Sequence, residues 1–140
     1  MNDQELNNLV AQAINLDEWV ITKNGYYYRP NACGYTDRLS EAWKVPLETA
    51  KKYEMYADNP KVAFYDKVLI EKAPTPDFGG DLNEMRRAEN YLSDEQWTDY
   101  INMLYFVTFK PAAKDRDKQA INSSAAEKRE AFLKALKLIQ

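Results

Sequence analysis

Two runs decide how this chain is read: residues 81–104, DLNEMRRAENYLSDEQWTDYINML, and residues 124–136, SAAEKREAFLKAL. Asp81 is followed three residues later by Glu84, Ser93 by Gln96, and Ser124 by Glu127. Each pair has the form of a capping box: a short oxygen side chain accepts from the third helical N–H, and the later side chain reaches back. Helices are therefore expected to begin near 82, 94 and 125. A cap of this kind is worth about 1 kcal/mol. The middle helix directs Trp97, Ile101, Leu104 and Tyr105 inward, and the last directs Ala131 or Phe132, Ala135, Leu136 and Ile139 inward. The C-terminal part is thus all helical. Between them, 110–123 is polar and charged and contains Pro111, which predicts a mobile loop.

The N-terminal half reads differently. Leu6, Leu9, Val10, Ala13 and Ile14 fall on one face of a helix over 3–14, with Asp3 suited to its positive end. The run WVITKNGYYYRP follows at 19–30. Asn24-Gly25 suits a type I′ turn, because both central residues need positive φ. A hairpin over 19–29 is expected, ending at Pro30, which lacks a ladder donor. Thr36 then reads as the N-cap of a short helix through Trp43, with Asp37 in its first turn. Pro46 suits the first turn of a helix over 46–56. Over 61–72, Val62, Phe64, Val68 and Ile70 share one parity, which predicts a half-buried strand bent near Asp66. The resulting expectation is a single α+β domain. A small antiparallel sheet containing the hairpin packs against several helices.

Composition narrows the function. The chain has 140 residues, 45% hydrophobic and 29% charged, so it can bury a core without disulfides. Net charge is −3, which argues against general nucleic-acid binding. The absence of histidine removes the usual neutral-pH base and the commonest zinc ligand. Cys33 is the one cysteine, so neither an internal disulfide nor a Cys-rich metal site is possible. Asp77, Asp81, Glu84 and Glu89 could at most hold a hard cation. Helix starts attract acids in any case, and no metal is expected. The longest apolar run, 100–109, is too short to span a bilayer, and no signal-like segment leads the chain. These readings place the protein in a cytoplasm, with no membrane association, no cofactor and no catalytic residues.

The strongest binding candidate is the stretch 26–38. Alternation sends Tyr26 and Tyr28 to one sheet face and Tyr27 and Arg29 to the other. One face is expected to pack in the core while the other stays available. Tyr27 or Tyr35 would stack on a flat base, and Arg29 or Arg38 would hold a phosphate, with Asn31 and Thr36 nearby. The same residues also serve as an ordinary sheet cover with an arginine paired to a local acid. Arg86, Arg87 and Arg129 form a second possible anion-binding set; as surface charges at helical spacing they need no ligand.

Several of these stretches resemble the phage ABA-sandwich domain of small bacteriophage proteins. The resemblance lies in Arg29-Pro30, Gly34-Tyr35-Thr36-Asp37 and Glu41-Ala42-Trp43, and more closely in Asp81-Leu82-Asn83, Met85, Ala88-Glu89, 92–97 and 129–133. The Asn24-Gly25 hairpin and the insertion 110–123 depart from that pattern. The resemblance implies a phage accessory protein in the host cytoplasm. Together with the Tyr/Arg/Asn cluster it leads to the expectation of a non-enzymatic protein that sequesters a small nucleotide signal of host defence. The alternative is a protein-binding inhibitor or adaptor that acts on a host defence factor such as a nuclease. A virion or packaging component is a third option. Aromatic residues reach 13%, with ten tyrosines, and the hairpin leaves an exposed edge. A homo-oligomer is therefore expected.

Overall fold

A computed structural model describes residues 1–110 and 115–140, with Arg116 described by its backbone alone. In chain order the elements are α1 (Asp3–Ala13), β1 (Trp19–Lys23), β2 (Tyr26–Tyr28), β3 (Tyr35–Thr36), α2 (Leu47–Lys51), β4 (Val68–Lys72), α3 (Leu82–Glu89), α4 (Asp94–Val107), α5 (Arg116–Ile121) and α6 (Ala125–Ala135). The fold is α+β with a four-stranded antiparallel sheet and a helical C-terminal part. The described residues divide into two compact units, Asp17–Pro74 and Met1–Leu16 with Thr75–Gln140. Among the described residues no helix is long and apolar enough to cross a membrane.

The helical unit begins where the caps say it should. α3, α4 and α6 start at 82, 94 and 125. Ser93 with Gln96 and Ser124 with Glu127 form complete reciprocal boxes. Asp81 caps α3 by accepting from the Asn83 N–H at 2.9 Å. Glu84 does not complete that box; its carboxylate takes the Arg87 guanidinium at 2.6 Å instead. The core is built around Phe78, Met85, Tyr100, Phe132 and Leu133, all fully buried. Tyr100 meets Phe132 edge to face at 6.1 Å. Trp97, expected inside, is 44% exposed and packs on the outer side of Tyr100 at 5.6 Å. Trp97 lies in the first turn of α4, and the core contact falls one turn later, on Tyr100. The expected loop over 110–123 falls partly on 111–114, outside the described residues. Part of the remainder is α5, begun by Asp115, whose carboxylate accepts from the Lys118 N–H at 3.0 Å.

In the sheet unit the strand order is β3-β2-β1-β4. Asn24 and Gly25, at φ 55° and 80°, form the two-residue turn between β1 and β2. Lys23 faces Tyr26 across it, and β4 lies antiparallel on the other side of β1. The first half of the expected strand 61–72 is not extended: residues Phe64–Asp66 make a 3₁₀ turn, and β4 begins after the anticipated bend. The expected helix from Thr36 to Trp43 is also absent. Thr36 instead belongs to β3, paired with Tyr27, and a 3₁₀ turn at Leu39–Glu41 follows. The helix expected over 46–56 is shortened to α2, because Met55 pairs with Val68 across both backbone groups at 3.0 Å.

Candidate functional site

Residues opposite one another in an antiparallel pair lie on the same face, and alternate residues share it. The register therefore puts Ile21, Lys23, Tyr26, Tyr28, Tyr35 and Val68 on one face of the sheet. Its middle is covered: Ile21 and Val68 bury against Val45 and Ala50 of α2, with Tyr28 packed at the margin. At the hairpin end the cover stops. Lys23, Asn24, Tyr26 and Tyr35, joined by Tyr65 from the 3₁₀ turn, line an open recess of about 520 Å³. Tyr26, Tyr35 and Tyr65 are 49%, 54% and 60% exposed.

Tyr35 is held in place from below. Its ring meets Tyr28 edge to face at 5.2 Å; Tyr28 meets Tyr53 at 6.1 Å, and Tyr53 meets Trp43 at 5.5 Å. Each such pair adds about 0.5–1.5 kcal/mol beyond area burial. The row runs from the packed part of the face to the recess. Burial raises the Tyr28 pKa, with the Tyr35 phenol adding to it, so this hydroxyl stays protonated at neutral pH. Lys23 makes no ion pair among the described residues. The recess thus offers flat aromatic surfaces, phenol hydroxyls, one amide and one unengaged ammonium. That combination suits a planar ring carrying an anionic group.

The opposite face is closed. Tyr27, expected on the available side, packs with Leu39 onto Val20, Ala42 and Ala73. The expectation of one packed and one available face is therefore corrected: both faces are covered in the middle, and the opening lies on the Tyr26/Tyr28 side. The reason is the residue run 39–42, which folds back over the Tyr27 face.

The other expected residues are distributed as follows. The Arg29 N–H donates to the Gly34 carbonyl at 2.9 Å and closes the loop before β3; its side chain is exposed and does not line the recess. Asn31 sits at the loop tip with φ 60°. Thr36 is buried: its hydroxyl donates to Glu41 at 2.8 Å and accepts from the Arg38 N–H at 3.1 Å. Arg38 lies 3.7 Å from Glu41, with 74% of its side chain exposed. Of the candidate stretch 26–38, Tyr26 and Tyr35 line the recess, and of the residues assigned a stacking or phosphate-holding role only Tyr35 does. Lys23 and Tyr65 were missed. Lys23 had a signal: a two-residue turn at 24–25 places its flanking residues 23 and 26 side by side. Tyr65 had none, since it arrives by a turn inside a segment that alternates like a strand.

In the helical unit the second arginine set does not gather. Arg86 is exposed, and Arg87 is paired with Glu84. Arg129 is buried at 5% exposure. It donates from Nη1 to Asn7 Oδ1 at 2.9 Å and from Nη2 to Asp3 Oδ1 at 2.7 Å. Asn7 Oδ1 also accepts from the Gly79 N–H at 3.1 Å, and Asn7 Nδ2 donates to Asp77 at 3.2 Å. A Cβ at Gly79 would overlap the Arg129 guanidinium. This cation is thus a tie between α1, α6 and the loop before α3. The acids considered for a cation are engaged separately, Asp77 with Asn7 and Gly80, Asp81 as a cap, and Glu84 with Arg87. Among the described residues no three metal-ligating side chains converge. Cys33 is exposed, with its thiol 3.6 Å from the Asn31 carbonyl.

No family model, no curated protein and no solved structure matches this chain.

Proposed function

We propose that the protein is a non-catalytic binder of a small nucleotide, and that the recess at the hairpin end of the sheet unit is where the nucleotide sits. The observation that carries this reading is the grouping of three half-exposed tyrosines around an unengaged lysine. Single apolar side chains on a surface are ordinary. Three phenol rings bordering one opening, with a cation beside them, match what a base and a phosphate require. Taken with the resemblance to phage ABA-sandwich proteins, the biological role is sequestration of a nucleotide signal of host defence.

The test is calorimetric titration of the wild type with cyclic di- and trinucleotides and cyclic ADP-ribose isomers. Stacking on an aromatic is worth about 1–3 kcal/mol per base. A charge-assisted hydrogen bond contributes roughly 1.5–3 kcal/mol. Tyr35→Ala and Lys23→Ala are therefore each expected to weaken binding by about tenfold or more. Arg29→Ala, outside the recess, is expected to change it by less than about threefold, in line with a surface substitution. If no nucleotide binds more tightly than millimolar, the reading fails. If one binds and only Arg29→Ala weakens it, the nucleotide sits on the loop rather than in the recess.

A protein partner is the second reading, favoured by a separate observation. Met55, Tyr56 and Phe64 of the same unit are 51%, 54% and 59% exposed. Large exposed apolar side chains are enriched at protein interfaces as well as at ligand sites. A nucleotide-free recess together with a host protein captured by the wild type and released by Phe64→Ser would favour this reading.

A further inference from the structure

One side of α4 is only partly covered: Asp99 and Phe106 are exposed, while Met103 between them in sequence packs on the core of the helical unit. Asp99, Met103 and Phe106 follow one another at spacings of four and three and so share a face. Phe106 is 69% exposed. With Lys134 of α6 and Lys137 just beyond it, these residues border a groove of about 520 Å³. Lys134 is held at 3.0 Å by Glu130, and its ammonium lies 6.0 Å from the centre of the Phe106 ring. Asp99 and Lys137 are exposed, and neither makes an ion pair with the other or with any other described residue. The groove therefore has an unengaged acid on the α4 side and an unengaged base just beyond α6, with the exposed Phe106 ring on the same border.

We infer that this groove is the contact between two copies of the chain related by a twofold axis. In such an interface the same patch meets itself, so every group must find its complement on the same surface. This groove meets that condition. A twofold brings Asp99 against the partner's Lys137 and Lys137 against the partner's Asp99, while Phe106 is covered from both sides. A foreign partner of one sign would satisfy one rim and oppose the other. The chain as a whole carries −3, so two copies repel at a distance. Association then needs local pairing of opposite signs beside apolar surface, which this groove supplies. The site is independent of the proposed nucleotide recess.

The experiment is sedimentation equilibrium of the full chain at tens of micromolar, with melting curves to check folding. The wild type is expected to be a dimer. Asp99→Lys and Lys137→Glu each set two like charges against one another on both sides of the axis, and each should weaken the dimer by tenfold or more. The double variant restores opposite signs and should recover wild-type association within a few-fold. Phe106→Ser, which alters a side chain that faces water in the single chain, should also give monomers that still unfold in one cooperative transition, with a melting temperature lowered only by the loss of association. A monomeric wild type overturns the inference. So do single variants that remain as dimeric as the wild type, or a double variant no better than the singles. If a charge variant fails to fold, the Phe106→Ser result decides between dimer and monomer.

Discussion

Arg129 in the helical unit and Lys23 in the sheet unit are both cations with polar or aromatic neighbours, and they are used in opposite ways. Arg129 is turned inward, where Asn7 and Asp3 take its donors and Gly79 leaves room for its guanidinium. Among the described residues Lys23 has no ion pair, and it lies beside Tyr26, Tyr35 and Tyr65. The helical unit encloses polar groups to fix how its helices meet. The sheet unit leaves aromatic groups open although its own core, around Ile21 and Val68, is complete without them. A charge that serves the fold is recognised by its partners. A charge available for binding is recognised by their absence next to surface that suits a ligand.

The largest effect should come from breaking the inward arrangement. Arg129→Ala removes two charge-assisted hydrogen bonds and leaves the buried Asn7 with fewer partners. Most of the Asp3 side chain is in water, at 85% exposure, so its loss of a partner adds little. The expected destabilisation is about 1.5–3 kcal/mol, the range for hydrogen bonds to a charged group, with Asn7 still held by Gly79 and Asp77. Urea unfolding of the variant measures it. A loss below about 0.5 kcal/mol, the ordinary surface range, would place Arg129 with the solvated arginines.

A smaller effect, confined to alkaline pH, comes from Tyr100. Burial raises its pKa well above the usual value, and the nearby Glu89 carboxylate adds to the rise. Its hydroxyl is buried without a well-formed hydrogen bond. The unfolded chain loses this proton near pH 10, whereas the folded chain keeps it. The neutral phenol's contribution is therefore fully present below about pH 10 and lost as pH rises beyond it, by about 1.4 kcal/mol per pH unit. Tyr100→Phe should remove that part of the alkaline slope. Equal alkaline slopes in wild type and variant would show that Tyr100 is not shielded.

How much of this was legible in the chain follows from the range of the interactions. The starts of α3, α4 and α6 and the hairpin turn are set by residues within three or four positions of one another, and they were readable. Thr36 shows where local reading fails. Its hydroxyl does accept a backbone N–H two residues on, as an N-cap would, but the pairing with Tyr27 makes it the end of a strand. Nothing within the stretch 36–43 distinguishes the two. Arg129 reads as surface charge because its partners, Asn7 and Asp3, are 122 and 126 positions away. For the recess, alternation separated Tyr26 and Tyr28 from Tyr27 correctly. Which face would stay open depended on where residues 39–42 and α2 pack, and that is a tertiary choice.

The central claim is that the tyrosines at the hairpin end serve a ligand and not the fold. Thermal unfolding of the wild type and of the double variant Tyr26→Ser/Tyr65→Ser, with and without the panel of cyclic nucleotides, tests it most directly. Tyr35 is spared, because it supports Tyr28 through ring contact. Without nucleotide the two proteins should agree within about 0.5 kcal/mol, as surface changes do. With a bound nucleotide the wild type should melt higher and the double variant should not, because binding to the folded state alone raises stability. A variant that loses stability without any ligand, or a wild type that no nucleotide shifts, would contradict the claim.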